Sequence, residues 1–321
     1  MRNGECAGLK VVRCVVWLVA HLWVLVLSPA ATAQELEPRA YSPSPTGANF
    51  FVLGFQGIGG GVLFDPTLPI TNVHANLYSP VVGLGRTFGI LGRQALVTAG
   101  MPYVWGTVEG QVFEEQKSVY RSGLADLRLK LAFNLHGSPA LTPQEFAKRR
   151  RRGLIVGASL SVTAPASQYD KTKLVNLGTN RWAFKPELGI SYPRKKWYFD
   201  FYGGVWFFTE NSSFFPGQSM RRQDPLSSFQ AHVSYNVRPR LWLALDGTWY
   251  GGGATEVNGG PPSGRQSNSR AGVTLSLPIR KSQSLKINFS RGATVRAGSN
   301  FTSLGVAWQF LWFDRHRPRN P

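Results

Sequence analysis

The sequence predicts an all-β fold, a transmembrane antiparallel up-and-down β-barrel of about twelve strands with both termini on the periplasmic side. Three observations predict it. Apolar residues recur at every second position along much of the chain. The expected connections alternate between tight turns and long loops rich in Gly, Pro, Ser and Asn. After residue 33, no apolar run reaches the ~20 residues that a membrane-spanning helix needs.

The alternation indicates strands with one apolar and one polar face, because successive side chains of a strand point to opposite sides. Along 127–135 every second residue is leucine or phenylalanine, and the positions between them include Arg128 and Lys130. The same pattern occurs at 154–162, 271–277 and 285–289. A soluble sandwich would alternate in the same way, so the pattern alone leaves the surrounding medium open.

Connection lengths favour a membrane barrel over a sandwich. Short turns on one side, long loops on the other and an even strand count are the layout of outer-membrane barrels. The tight joins are Gly89–Gly92, Pro193–Lys195, Arg238–Arg240 and Arg280–Ser282, and the long ones include 210–224 and 252–267. The predicted strands are 49–57, 72–88, 93–106, 123–136, 153–165, 180–193, 196–209, 225–238, 240–251, 268–279, 283–292 and 300–313. We expect Gly57–Gly61 to form a flexible extracellular loop.

The terminal strand has an aromatic face. Trp308, Phe310 and Trp312 alternate with other residues, and we expect them to form a lipid-facing belt near the periplasmic boundary, where aromatic rings bridge apolar core and headgroups. An aromatic-rich edge strand of a soluble protein is the alternative. The barrel would occupy 49–313, followed by a basic tail at 314–321 that departs from the usual ending on the aromatic residue.

The first 33 residues have the features of a cleaved signal peptide. Basic residues precede an apolar run from Cys14 to Leu27, and Ala31-Thr32-Ala33 has the small-x-small pattern of a cleavage site. An uncleaved anchor helix is the alternative. Because both cysteines lie in this segment, the mature chain would contain no disulfide. Residues 34–48 are expected to be either a loose Pro-rich periplasmic leader or a plug in the barrel mouth.

The composition is strongly basic, with 36 Lys and Arg against 17 Asp and Glu and a formal net charge of +19. Such a balance suggests an anionic partner. Export and the lack of a recognisable nucleic-acid motif argue against DNA or RNA. The expected partners are outer-membrane lipids, lipopolysaccharide phosphates, the outer-membrane assembly machinery and small-molecule solutes. The histidines lack ligand-like spacing, so we expect neither a metal site nor a cofactor.

One connection on the short-turn side is long. Within it, Thr142-Pro143-Gln144-Glu145 is a capping box with proline at the first helical position, which predicts a helical turn. A basic run at 148–152 follows. It either contacts phosphates of the inner leaflet or is simply solvated.

With the apolar face outward, the alternate positions line the lumen. The predicted lumen-lining residues are Asp126, Arg128, Lys130, Arg181, Lys185, Glu187, Asp200, His232, Asp246, Arg270 and Lys286. About twelve strands enclose more space than eight and less than an open sixteen-stranded porin, so we expect a narrow or partly plugged bore. The turn at Arg238–Arg240 places His232 opposite Asp246, with Ser234 on the same face. We interpret this group as a polar network rather than a hydrolase triad, and we predict no catalytic residue.

Several stretches resemble the outer-membrane family named for the meta-pathway of phenol degradation. They are Leu36–Pro45, Ser122–Arg128, Gly178–Trp182, Lys185–Glu187, Gly204–Thr209, Gln223–Pro225 and Leu304–Gln309. Ala125 stands where the family pattern has glycine. The resemblance implies a barrel that passes small, often aromatic or hydrophobic compounds, without agreed catalytic or binding residues.

The functional prediction is a passive channel for small solutes in a Gram-negative outer membrane, with lumen cations favouring anions or carboxylated aromatics. A non-transporting barrel that binds lipopolysaccharide phosphates is the second hypothesis. A lumen hydrolase that depends on His232 is the third.

Overall fold

A computed structural model describes residues 36–63, 70–112, 115–149 and 153–314. The predicted signal peptide, residues 150–152 of the basic run and the tail from 315 onward lie outside the described residues. Within the described ranges, no helix is both long and apolar enough to cross a bilayer.

The predicted fold class is confirmed: the main sheet is a closed antiparallel barrel of twelve strands. Each wall strand pairs with its neighbours along the chain, and the first strand pairs with the last over Ala48–Leu63 and Gly298–Phe313. The strands are β1 Ala48–Leu63, β2 Ile70–Ile90, β3 Arg93–Val112, β4 Glu115–Leu124, β5 Leu127–His136, β6 Ile155–Ala164, β7 Ala183–Arg194, β8 Trp197–Phe208, β9 Asn211–Phe214, β10 Ser219–Gln223, β11 Leu226–Arg238, β12 Leu241–Gly252, β13 Thr255–Val257, β14 Gln266–Arg280, β15 Gln283–Thr294 and β16 Gly298–Phe313.

One wall strand is interrupted. β4 and β5 both pair with β3 and together occupy a single position in the wall. The break falls at Ala125 and Asp126, and the Ala125 amide donates to Pro102 O at 2.9 Å. Asp126 is thereby placed in a short irregular segment, where its carboxylate can accept hydrogen bonds from the neighbouring loop.

The outward face of the wall is apolar. Leu188, Phe201 and Leu245 are each about 60% exposed (63, 59 and 62%) and alternate with buried polar residues on the same strands. An apolar surface that continues round the whole barrel requires hydrocarbon rather than water on its outside. Closure pairs the outer edges of the first and last strands with each other, as a bilayer demands.

The predicted turns occur, and all lie at one end of the barrel. Strands β2 and β3, β7 and β8, β11 and β12, and β14 and β15 are joined by two residues each. Ala48 and Phe313, where the barrel begins and ends, are paired at this same end. We call it the turn end and the opposite rim the loop end.

The prediction of a flexible loop at Gly57–Gly61 is wrong. These residues continue β1, paired with β16 on one side and β2 on the other. Their backbone approaches the neighbouring strand closely, and a Cβ on Gly60 would lie 2.1 Å from Asn300 O. The glycines of this segment therefore permit close contact between strands. Their abundance had led to the prediction of a loop.

The long loop-end connections contain structure that the alternation did not predict. β9, β10 and β13 form a separate three-stranded antiparallel sheet within the segments predicted as loops at 210–224 and 252–267. These strands have three to five residues each, too few to show a periodicity. They link the loops after β8 and β12 at the loop end.

The predicted helical turn at the turn end is α1, Pro143–Lys148. Thr142 caps it, accepting from the Glu145 amide while the Glu145 carboxylate accepts from the Thr142 amide at 2.8 Å. Arg149 follows the helix and donates to Gly137 O at 2.6 Å. This part of the basic run therefore fastens the connection to the barrel end.

Candidate functional site

The segment before β1 lies inside the barrel. Residues 36–47, which we call the plug, enter from the turn end, where the Gly47 amide donates to Thr87 O at 2.9 Å. The Ser44 amide donates to Gln94 Oε1, which is also at the turn end, at 2.7 Å. Leu36 reaches the inner side of β14, where a Cβ on Gly272 would lie 2.8 Å from it. Residues 36–47 therefore run along the inner wall from the turn end to β14.

Tyr41 anchors the plug to the wall. Its side chain is 1% exposed, and its ring lies over two glycines of β6 and β7. A Cβ would lie 2.1 Å from the ring at Gly157 and 2.2 Å at Gly189, so any larger residue there would displace the ring. The hydroxyl donates to Glu187 Oε1 at 3.0 Å and also lies 3.0 Å from Ser159 Oγ. Both the ring and the hydroxyl are therefore fixed.

Arg39 holds the plug through its backbone and its guanidinium. Its amide donates to Asp200 Oδ2 at 3.1 Å, and Nη1 donates to Asn236 Oδ1 at 2.9 Å. The guanidinium carbon lies 5.1 Å from the ring centre of Tyr198 and 4.4 Å from that of Trp242. Cation–π contacts of this kind stabilise a partly desolvated charge.

Glu37 supplies an ionic contact between the plug and the wall. Its carboxylate lies 2.6 Å from Lys130 Nζ, inside the barrel yet 48% exposed to the lumen. The positive charge of Lys130 lowers the pKa of Glu37 to about 2, against an opposing effect of burial. The ion pair therefore stays intact well below neutral pH.

A buried ion pair lies under the plug. Lys185 Nζ and Glu187 Oε2 are 2.9 Å apart, and both side chains are at most 1% exposed. Gln230 donates to the same carboxylate oxygen at 3.3 Å, and Tyr41 donates to the other. Since two buried charges are expensive to desolvate, the pair depends on this full set of hydrogen bonds. Plug and wall are thus parts of one network.

His232 and Asp246 form the predicted pair across β11 and β12. His232 Nδ1 lies 2.7 Å from Asp246 Oδ1, and Thr274 donates to Asp246 Oδ2 at 2.6 Å. Ser234 is fully buried, but within the described chain neither its Oγ nor His232 Nε2 has a hydrogen-bond partner. A proton relay needs a hydroxyl hydrogen-bonded to the imidazole. The arrangement corresponds to a polar network of the wall.

A cavity of about 1190 Å³ runs past the plug. Gln266 and Gly298 line it at the loop end, and Lys195 and Arg240 line it at the turn end. The predicted lumen residues that reach it are Asp126, Arg128, Lys130, Arg181 and Lys286. The other predicted lumen residues are in the wall or under the plug, each at most 5% exposed: Lys185, Glu187, Asp200, His232, Asp246 and Arg270.

The lining of this cavity is basic and aromatic. Eight of its side chains are basic and two, Glu37 and Asp126, are acidic. The basic residues are Arg39, Arg128, Lys130, Arg149, Arg181, Lys195, Arg240 and Lys286. Aromatic residues of the lining include Phe50, Tyr198, Trp206, Phe208, Trp242 and Tyr250. Such a wall can stack planar rings and attract anions.

Sequence reasoning missed part of this lining. Arg39 belongs to a segment whose Pro-rich composition gives no register, and Lys195 and Arg240 were assigned to turns. The alternation along β8 and β12 places Trp206, Phe208 and Trp242 on the inward face, so the sequence could have predicted them. The predicted lumen lining named only charged residues and histidine, so these aromatic residues were missing from it.

The three aromatic residues of β16 lie on the outer face with Leu304 and Val306, which are exposed. Trp308 and Phe310 stack at 6.2 Å, and Phe310 and Trp312 stack at 5.7 Å. Trp312 pairs with Asn49 near the turn end. Their position fits a belt at one membrane boundary, which stays a prediction. Among the described residues, no group of His, Cys, Asp or Glu could hold a metal ion.

A family model described as "Putative MetA-pathway of phenol degradation" matches residues 67–310. The chain belongs to this phenol-degradation family. A search of curated protein sequences gives no match. Membership in the family confirms the resemblance found in the sequence.

Solved structures similar to this phenol-degradation family member are outer-membrane barrels. A channel from the outer membrane of Pseudomonas putida F1 has a TM-score of 0.70 and 20% identity, covering 87% of this chain and 100% of that one. The β domain of the Bordetella autotransporter BrkA has a TM-score of 0.51 and 11% identity, covering 83% and 100%. At these identities the likeness concerns the fold.

Proposed function

We propose that the protein is a passive outer-membrane channel for small solutes, with a preference for aromatic or hydrophobic compounds. The observation that carries this proposal is the cavity, which is lined by residues of both barrel ends and continues beside the plug. A barrel that served only as an envelope anchor would need no such passage.

The wall chemistry supports the solute class. Aromatic rings of Phe50, Trp206 and Phe208 line the cavity, so a planar solute can exchange water for ring contacts along its path. The family description refers to phenol degradation, and the similar Pseudomonas putida structure is described as an outer membrane channel. Diffusion down a gradient requires neither a cofactor nor an energy source.

The plug sets the expected size limit. It is held by Tyr41, Arg39 and Glu37, so the passage in this conformation is what remains between the plug and the opposite wall. We expect small conductance steps, well below those of open sixteen-stranded porins.

The test is single-channel conductance of the refolded chain from Gln34 in planar bilayers, with phenol on one side. We expect discrete steps that phenol reduces. Trp206→Leu, which removes a lumen ring, should weaken the phenol effect, while Trp249→Leu, on the lipid face and 42% exposed, should leave it unchanged. A barrel that is folded yet silent in both wild type and plug-deleted forms would refute the channel.

The second hypothesis, a non-transporting barrel, is favoured by one observation: the plug is hydrogen-bonded to several wall strands. In that case the excess positive charge would serve to bind lipopolysaccharide phosphates. The same conductance measurement separates the two, because a structural barrel would stay silent after plug deletion.

A further inference from the structure

Arg181 is a buried cation whose hydrogen-bonding capacity is only partly used. It precedes β7 at the loop end, is 6% exposed and lines the cavity. Its Nη2 donates to Gln223 Oε1, whereas Nε and Nη1 have no hydrogen-bond partner in the described part of the chain. A buried charged donor without a hydrogen bond costs free energy, so an acceptor that enters the cavity and binds Arg181 would recover part of that cost.

Arg128 and Lys286 are exposed, and the remaining predicted lumen cations are already engaged. Lys185 is paired with Glu187, and Lys130 is paired with Glu37. Arg270 directs both terminal nitrogens at Phe301 O, at 3.0 and 2.6 Å. Arg181 thus differs from them in combining burial, an open cavity and unused donors.

The electrostatic surroundings of Arg181 favour an added negative charge. Burial and the nearby charge of Arg221 both disfavour its cation, and only Asp126 opposes them. Asp126 is only partly engaged: its Oδ2 accepts from the amide and the hydroxyl of Thr179 at 3.0 and 3.1 Å, while its Oδ1 has no hydrogen-bond partner in the described part of the chain. An anion beside Arg181 would relieve the remaining imbalance.

Aromatic rings adjoin the guanidinium. The guanidinium carbon of Arg181 lies 4.3 Å from the centre of the Phe208 ring. Trp206 stacks on Phe208, with ring centres 6.5 Å apart and ring planes at 11°. All three side chains line the same cavity. A planar ring can stack on this surface while a carboxylate meets the planar fork of arginine, which suits it geometrically.

We propose that Arg181, Phe208 and Trp206 form a binding subsite for aromatic carboxylates at the loop end of the lumen. The subsite rests on the proposed channel for its biological role, but its occupancy can be measured without transport. It would concentrate aromatic acids at the mouth of the passage and select them over neutral rings.

The test is calorimetric titration of the refolded, detergent-solubilised mature chain with benzoate, benzyl alcohol and cyclohexanecarboxylate. We expect benzoate to bind about tenfold or more tightly than benzyl alcohol, and R181Q to lose roughly that factor. R181K, which keeps the charge without the fork, should bind with intermediate affinity. F208L should bring benzoate to the level of the non-aromatic acid. Resistance to heat on gels identifies folded variants, so R181K decides the matter if R181Q does not fold.

The matched control is R222Q, which also removes one positive charge at the loop end. Arg222 is exposed and pairs with Glu210 at 2.7 Å, and it does not line the main cavity. Its benzoate affinity should stay within about twofold of the wild type. Equal losses in R181Q and R222Q, or equal wild-type affinity for benzoate and benzyl alcohol, would overturn the subsite.

The two proposals fail separately. A conducting barrel that does not bind benzoate would overturn the subsite and keep the channel. A silent barrel that binds benzoate through Arg181 would overturn the channel and keep the subsite.

Discussion

Replacing Tyr41 with alanine should release the plug from the lumen wall. The ring fills space that Gly157 and Gly189 leave, and its hydroxyl joins Ser159 and Glu187. Truncating a buried aromatic side chain costs about 3–5 kcal/mol. Because about 1.4 kcal/mol is a factor of ten, the ratio of docked to released plug should fall by roughly 10²–10³ or more.

Single-channel recording measures this change directly. Y41A should show larger or longer openings than the wild type, since the released segment no longer narrows the bore. Y41F keeps the ring and loses the two hydroxyl contacts, of which the bond to the Glu187 carboxylate is worth about 1.5–3 kcal/mol, so its openings should be intermediate. The control is Tyr192→Ala, on the lipid face of β7 and 45% exposed, which should leave conductance unchanged.

Two outcomes would refute the reasoning about Tyr41. Wild-type conductance in a folded Y41A barrel would mean that this residue does not hold the constriction. Equal changes in Y41A and Y192A would mean that loss of any tyrosine loosens the barrel, without a specific role for the plug.

Three further results are expected. Gly157→Ala should reproduce the Y41A conductance by displacing the ring, and it should add nothing to Y41A, in which the ring is gone. Lys130 lowers the pKa of Glu37 from 4.5 to about 2, so the ion pair of Glu37 with Lys130 stabilises the docked plug fully above pH ~4.5 and is lost toward pH ~2. Conductance should therefore rise as the pH falls through that interval, and E37Q should abolish this pH dependence. Asp246→Asn weakens the buried pair with His232 and the hydrogen bond from Thr274, so it should lower the temperature of unfolding on heat-modifiability gels. An unchanged unfolding temperature would contradict a stabilising role of this polar network.

Most of the barrel wall could be predicted from the sequence. Period two is a local property, so the inward parity of Lys185, His232 and Asp246 could be read along single strands. The tight turn after β11 then fixed the pairing of His232 with Asp246, which the register shows. Local pattern and short turns together determine nearest-neighbour pairing in an up-and-down barrel.

The contents of the lumen could not be predicted in the same way. Tyr41 meets Ser159 across 118 residues of chain, and no periodicity in a Pro-rich segment indicates which wall glycines will accommodate its ring. The sequence pattern also gives no way to distinguish Lys185 from Arg181, because both are cations at predicted lumen positions. Only the three-dimensional arrangement shows that one is neutralised by Glu187 and the other faces the cavity.

The inward course of residues 36–47 has a consequence for biogenesis. Leu36 lies against β14 inside the barrel, and the plug is continuous with β1, which pairs with β16 at the seam. The plug must therefore be enclosed as these two strands join, or be threaded into the lumen afterwards. Closure of the barrel and insertion of the plug are thus linked steps of assembly.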